Sequence, residues 1–170
     1  MTGMQTQPPT PLPKSPVPIW VYIGQAAVLL TSLICYFLAC ILPALHFVNS
    51  GNGPDPMSGF NILMIGWMGV FVGQFAWFAN PFLLLSAILF IFRKWRFALA
   101  FMMIALTISL DTFMLFGQEI PADEANVNKL TLVSLGPGYY LWMASMLSIL
   151  LGAIGLWVAS AYFRRKVAAA

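Results

Sequence analysis

Few residues in this chain can do chemistry. Asp111 is the only ionisable residue within an otherwise apolar run at 97–116. Burying a carboxylate in hydrocarbon is costly, so an acid there reads as a proton or ligand site, or as a hydrogen-bonded structural acid. As helix, the fourteen residues from Phe97 to Asp111 rise about 21 Å. That leaves the carboxyl about 9 Å short of the outer face of a hydrocarbon core ~30 Å thick, close enough for water to solvate it. Trp67 and Ser145 fall at similar depth and are candidate hydrogen-bond donors to it. His46 is the single histidine. Asp55 or Glu119 could pair with it as acid and base, but packing in an outer loop is the simpler expectation. Cys35 and Cys40 lie five apart, on different faces of a helix, which argues against a disulfide and for buried apolar thiols. No catalytic set, metal site or cofactor site is expected, and hence no enzyme. Asn80 precedes Pro81 and is placed to bond the Trp77 carbonyl that the proline cannot reach. Thr31, Gln74, Thr107 and Ser148 all fall near mid-membrane. None is ionisable, so a layer that sets register between helices is expected in preference to a polar path.

Long apolar elements must position these residues. The chain is 61% hydrophobic and 8% charged, against roughly 25% charged for a soluble domain, so it cannot cover a water-facing surface. The expected fold class is an all-α membrane protein, a four-transmembrane-helix bundle. Spans are expected at about 19–42, 61–92, 97–116 and 139–163. A proline-rich arm, 1–18, precedes them and a basic tail, 164–170, follows. The second run is too long for one straight crossing, and Asn80-Pro81 predicts a kink in it. Outer loops occupy 43–60 and 117–138. Residues 44–48 and 130–135 are β-prone and are expected to pair as a small extracytoplasmic cap.

Basic residues fix the expected orientation. With the 93–96 turn in the cytoplasm, Arg93, Lys94, Arg96, Arg164, Arg165, Lys166 and Lys14 are all inside, and only Lys129 is outside. Such a bias anchors topology and puts both termini in the cytoplasm. These groups are read as topology anchors that touch the lipid bilayer, and no nucleic-acid partner is expected.

Leucine burial does not drive helix association in lipid; close backbone approach and interhelical hydrogen bonds do. Small residues recur at steps of three or four on span one (Gly24, Ala27, Thr31, Cys35, Ala39). They do so again on span two (Gly66, Gly69, Gly73, Ala76, Asn80) and span four (Ala144, Ser148, Gly152, Gly155, Ala159). These stripes are expected to pack the bundle, or to dock another membrane protein or a second copy.

The stretches GWMGVFVGQFAWFANP and LGPGYYLWMAS loosely resemble small four-span bacterial inner-membrane proteins of uncharacterised function. The resemblance covers spans two and four and their entrances. It implies a multi-pass inner-membrane location and carries no activity with it. Three other four-span families are excluded. Disulfide-generating quinone oxidoreductases need outer-loop cysteine pairs, small multidrug exporters a glutamate in span one, and lipoprotein signal peptidases two membrane aspartates. The expected function is an accessory, assembly or protective subunit acting by protein contact within the bilayer. The alternatives are a small oligomeric transporter or channel using Asp111 and the mid-depth polar residues, and an immunity-type membrane protein.

Overall fold

Long hydrophobic runs set the main elements. Residues 18–122 and 127–168 are described by a computed structural model, mostly helical with one small antiparallel sheet. The proline-rich arm up to residue 17, Asp123 and Glu124 lie outside these residues. Three helical stretches are long and apolar enough to cross a membrane: Ile19–Ile41, Trp95–Gly117 and Pro137–Phe163. The first is α1 (Ile19–Ile41). The second is α4 (Trp95–Ser109), which tightens into a 3₁₀ stretch at Leu110–Gly117. The third is the greater part of α5 (Pro137–Ala168).

The single helix expected over 61–92 is not formed. Helix α2 (Gly59–Ile65) passes into a 3₁₀ stretch, Gly66–Val72. The chain then turns at Gly73, whose φ of 78° is left-handed and open to glycine at little cost. A short 3₁₀ turn, Ala76–Phe78, leads into α3 (Ala79–Ile91). Pro81 sits in the first turn of α3, where a missing N–H costs little, so it starts a helix instead of kinking one. From Ala76 to Ile91 the rise is about 25 Å, a little less than a hydrocarbon core.

The outer loops carry more strand than expected. Strands β1 (Pro43–Asn49), β2 (Gly53–Ser58), β3 (Glu119–Pro121) and β4 (Lys129–Leu135) form one sheet in the order β2-β1-β4-β3. The expected pairing of 44–48 with 130–135 is present at its centre, with Leu45 opposite Leu135 and Val48 opposite Thr131. Edge strand β2 holds Pro54 and Pro56, and edge strand β3 ends on Pro121. Proline is tolerated on edges and blocks further strand addition there.

Two apolar clusters follow. One fills the bundle, around Phe90, Met102, Met146 and Ile149. The other lies under the sheet, around Leu45, Phe47, Leu115 and Leu132. Buried hydrogen bonds pin the helices pairwise. Ser32 Oγ donates to Ser145 O (2.9 Å), joining α1 to α5, and Ser86 Oγ donates to Ala98 O (2.8 Å), joining α3 to α4. Gln25 Nε2 donates to Phe90 O (2.9 Å) and Ile91 O (2.7 Å), capping the end of α3. At that same end Trp20 meets Phe163 (ring centroids 5.1 Å apart) and Arg93 lies over Tyr22. The start of α1, the 93–96 turn and the far part of α5 therefore share one end of the molecule, and the sheet occupies the other.

Candidate functional site

The break in the second run creates the site. Several contacts hold the 59–78 segment against the outer end of the bundle. Gly59 N donates to Leu42 O (3.1 Å), and Trp77 Nε1 donates back to Leu63 O (2.9 Å). A Cβ on Gly66 would stand 2.7 Å from the Trp77 ring, and one on Gly69 would stand 3.0 Å from Gln74 O. Gly66 and Gly69 therefore let the segment fold back on itself. Together with Gly73 at the turn, they are not the helix-packing stripe expected for span two.

Between this segment, the sheet and the ends of α1, α4 and α5 next to the sheet lies a cavity of ≈ 480 Å³. That is within the range of about 300–1,000 Å³ usual for small-molecule sites. Phe47, Leu45 and Leu130 line it from the sheet, Ile62, Gly66 and Gly69 from the folded-back segment, and Tyr36, Asn80 and Trp142 from the bundle. Among the described residues, no lining residue carries a charged side chain. Both long 3₁₀ stretches, 66–72 and 110–117, contribute to the wall. Runs of 3₁₀ helix of this length are uncommon and often mark sites of strain or function.

Asn80 is the hub. Its Nδ2 donates to Trp77 O (2.9 Å), the carbonyl that Pro81 leaves free. Its Oδ1 accepts from Tyr36 OH (3.2 Å) and Trp142 Nε1 (3.0 Å). One side chain thus ties α3 to both α1 and α5 at the cavity. Asp111 braces the turn: its Oδ2 accepts from Phe75 N (2.6 Å), the backbone amide next to Gln74. Neither Trp67 nor Ser145, the expected donors, is in that bond; Ser145 Oγ donates to Trp142 O instead (2.7 Å). Gln74 Nε2 donates to Gln118 Oε1 (2.8 Å), joining the turn to the foot of the sheet.

Two polar atoms at the wall remain without a partner, Gln74 Oε1 and the Tyr139 hydroxyl. Both residues are among those lining the cavity, yet both are buried, 7% and 4% exposed, and the unpartnered atoms themselves have almost no accessible surface. Thr112 stands close to the Tyr139 hydroxyl without meeting hydrogen-bond geometry. Rotating both glutamine amides would exchange acceptor for donor, and one polar atom of Gln74 stays unpartnered either way. A buried polar atom without a partner costs about 1–3 kcal/mol, so it calls for an explanation.

The other expected residues fall elsewhere. His46 pairs with Pro56 and Ser134 across the ladder; Asp55 is on the next rung, opposite Phe47, so it points from the other face of the sheet. Glu119 is on β3, two strands from β1, and the acid–base pair is not assembled. The mid-depth polar layer does not converge. Thr107 and Ser148 bond carbonyls of their own helices, Met103 O and Ser145 O, while Thr31 is exposed and Gln74 sits at the turn. Gly152 packs close against Val28 of α1, as a packing residue should, while Gly155 faces open space. Lys94 and Arg96 flank the turn at the end opposite the sheet, and Arg165 and Lys166 lie in the last turn of α5. Of the Arg164 side chain nothing is described. Cys35 and Cys40 are free, and Cys40 lines the cavity. Tyr36, Gln118, Tyr139 and Trp142 are site residues that sequence reasoning missed. Tyr139 and Trp142 look like ordinary interfacial aromatics; the burial of Tyr139 and the bond from Trp142 to Asn80 separate them from that role.

Comparisons with protein-family models, with curated proteins and with solved structures gave no match to this chain.

Proposed function

We propose that this chain is a multi-pass inner-membrane protein that acts by binding, as an accessory or protective component, and that its working part is the outer-end cavity. One observation carries the reading. Asn80, Gln74 and Asp111 are all used to hold an uncharged cavity open between a bent-back segment and a sheet. In this reading the chain crosses the bilayer four times, with α3 and the turn before it as a short second crossing. Both termini face the cytoplasm. The clustering of Arg93, Lys94 and Arg96 with the start of α1 and the far part of α5 supports that orientation.

The transport alternative draws less support. Asp111 is engaged by a backbone amide, and the mid-depth residues bond their own helices instead of lining a path. Isolation from the native membrane in mild detergent, followed by intact-mass measurement, tests the proposal. A stoichiometric bound molecule or subunit is expected. A chain that always travels alone, with saturable ion flux in vesicles, would contradict it.

A further inference from the structure

The binding reading leaves open what the cavity holds, and the chemistry of its wall restricts the answer. The lining is apolar and aromatic, with Phe47, Trp77 and Trp142 among its members, and among the described residues it carries no charged side chain. A phosphate or a carboxylate entering it would find no counter-charge and would lose its water. The occupant's buried part is therefore neutral. Gln74 Oε1 and the Tyr139 hydroxyl lie just behind the wall with almost no accessible surface, so a small rotation of each side chain is needed to present them to an occupant. A hydroxyl serves both, because it donates and accepts and so matches either arrangement of the Gln74 amide. Access is from the lipid side. Met68 and Phe71 line the cavity and are also exposed, Phe71 by 78%. A molecule entering there comes out of hydrocarbon, not water.

We infer that the cavity binds an uncharged membrane lipid whose small head bears a hydroxyl, with that hydroxyl between Gln74 and Tyr139. With about 30 Å³ for each small group, a cavity of ≈ 480 Å³ takes on the order of 16 of them, one chain or one ring with its substituents. Two sources share this chemistry: a diacylglycerol and a long-chain hydroquinone. The inference rests on the binding reading and can fail without it, since a bound protein subunit would keep that reading and exclude the lipid.

Cys40 provides a native reporter at the cavity wall. With Cys35→Ser as background, the full chain is reconstituted in phosphatidylcholine vesicles and the rate of Cys40 alkylation is followed. Dioleoylglycerol and a long-chain alkyl hydroquinone are titrated separately. Dioleoylphosphatidic acid, with the same chains and a charged head, is the comparison. Saturable protection by one or both neutral lipids is expected, and the one acting at lower mole fraction identifies the source. Phosphatidic acid is expected to give none. Gln74→Leu with Tyr139→Phe should raise the half-saturating mole fraction about tenfold, the worth of two polar contacts of the size usual in membrane proteins. Helical circular dichroism checks that the variant folds. Tyr139→Phe alone, which removes a single oxygen, is the milder variant and should give about threefold. Equal protection by phosphatidic acid would overturn the inference. So would protection unchanged in both variants, or a reactive Cys40 that neither neutral lipid protects.

Discussion

Replacing Asn80 by leucine tests the hub of the site while keeping the branching of the side chain. The change removes the acceptor for Tyr36 OH and Trp142 Nε1 and the donor to Trp77 O. In membrane proteins such contacts average about 0.6 kcal/mol each and reach about 1.7 at most, so the three together are worth about 2 kcal/mol and no more than about 5. The lower figure is expected, because Tyr36 and Trp142 are only part-buried and can relax. Reversible unfolding of the reconstituted chain in a mixed-detergent titration, read by far-ultraviolet circular dichroism, measures the loss. Tyr36→Phe and Trp142→Phe should each cost about 0.6 kcal/mol in the wild-type background. In the Asn80→Leu background each should cost close to nothing, since contacting residues couple. Asn80→Leu within about 0.5 kcal/mol of wild type, a surface-like effect, would refute the hub, as would fully additive single and double variants.

Other predictions follow from the turn and the chain ends. Gly73→Ala forces an L side chain to a φ of 78° and should cost about 1–2 kcal/mol in the same titration, with Gly73→Asn costing less. Asp111→Ala removes the acceptor of Phe75 N and should lower stability by about 1 kcal/mol, and Asp111→Asn, which keeps an acceptor there, by less. A cysteine introduced at Lys94 in a Cys35→Ser, Cys40→Ser background should resist a membrane-impermeant thiol reagent applied to intact cells and react after permeabilisation.

Much of the fold was legible because hydrocarbon allows few solutions. Apolar runs of membrane length became α1, α4 with its 3₁₀ extension, which also holds Arg96 and Asp111, and α5. The β-prone pieces at 44–48 and 130–135 paired. The limits are equally physical. Strand β2 was hidden by Pro54 and Pro56, which signal turns unless the strand is known to lie at an edge. On α1 two members of the stripe, Ala27 and Thr31, face outward, while its last member, Ala39, is buried together with Val21, Gln25 and Ser32. Those two faces are about one residue, or 100°, apart. The better marker was polarity: a glutamine and a serine inside an apolar span had to find carbonyls, and they found Ile91 and Ser145. In the second run, spacing of Gly66, Gly69 and Gly73 at three and four fits a packing stripe and a folded-back segment equally well. Only the left-handed Gly73 and the contact of Trp77 with Leu63 separate them, and neither is written in periodicity.

The account depends on the path of residues 59–80. Gly59 is bonded at Leu42 and Asn80 at Tyr36, so both ends of the stretch lie within six residues of α1, about 9 Å of depth. A straight helix over the same stretch would descend about 30 Å. Single spin labels placed in turn from 60 to 91 in the cysteine-free, reconstituted chain, with depth read from relative access to oxygen and to a water-soluble nickel chelate, measure that path directly. The structure predicts depth staying near the outer face from 60 to 78, then increasing steadily through 91. Steadily increasing depth from 60 onward would contradict the broken crossing and the cavity built from it.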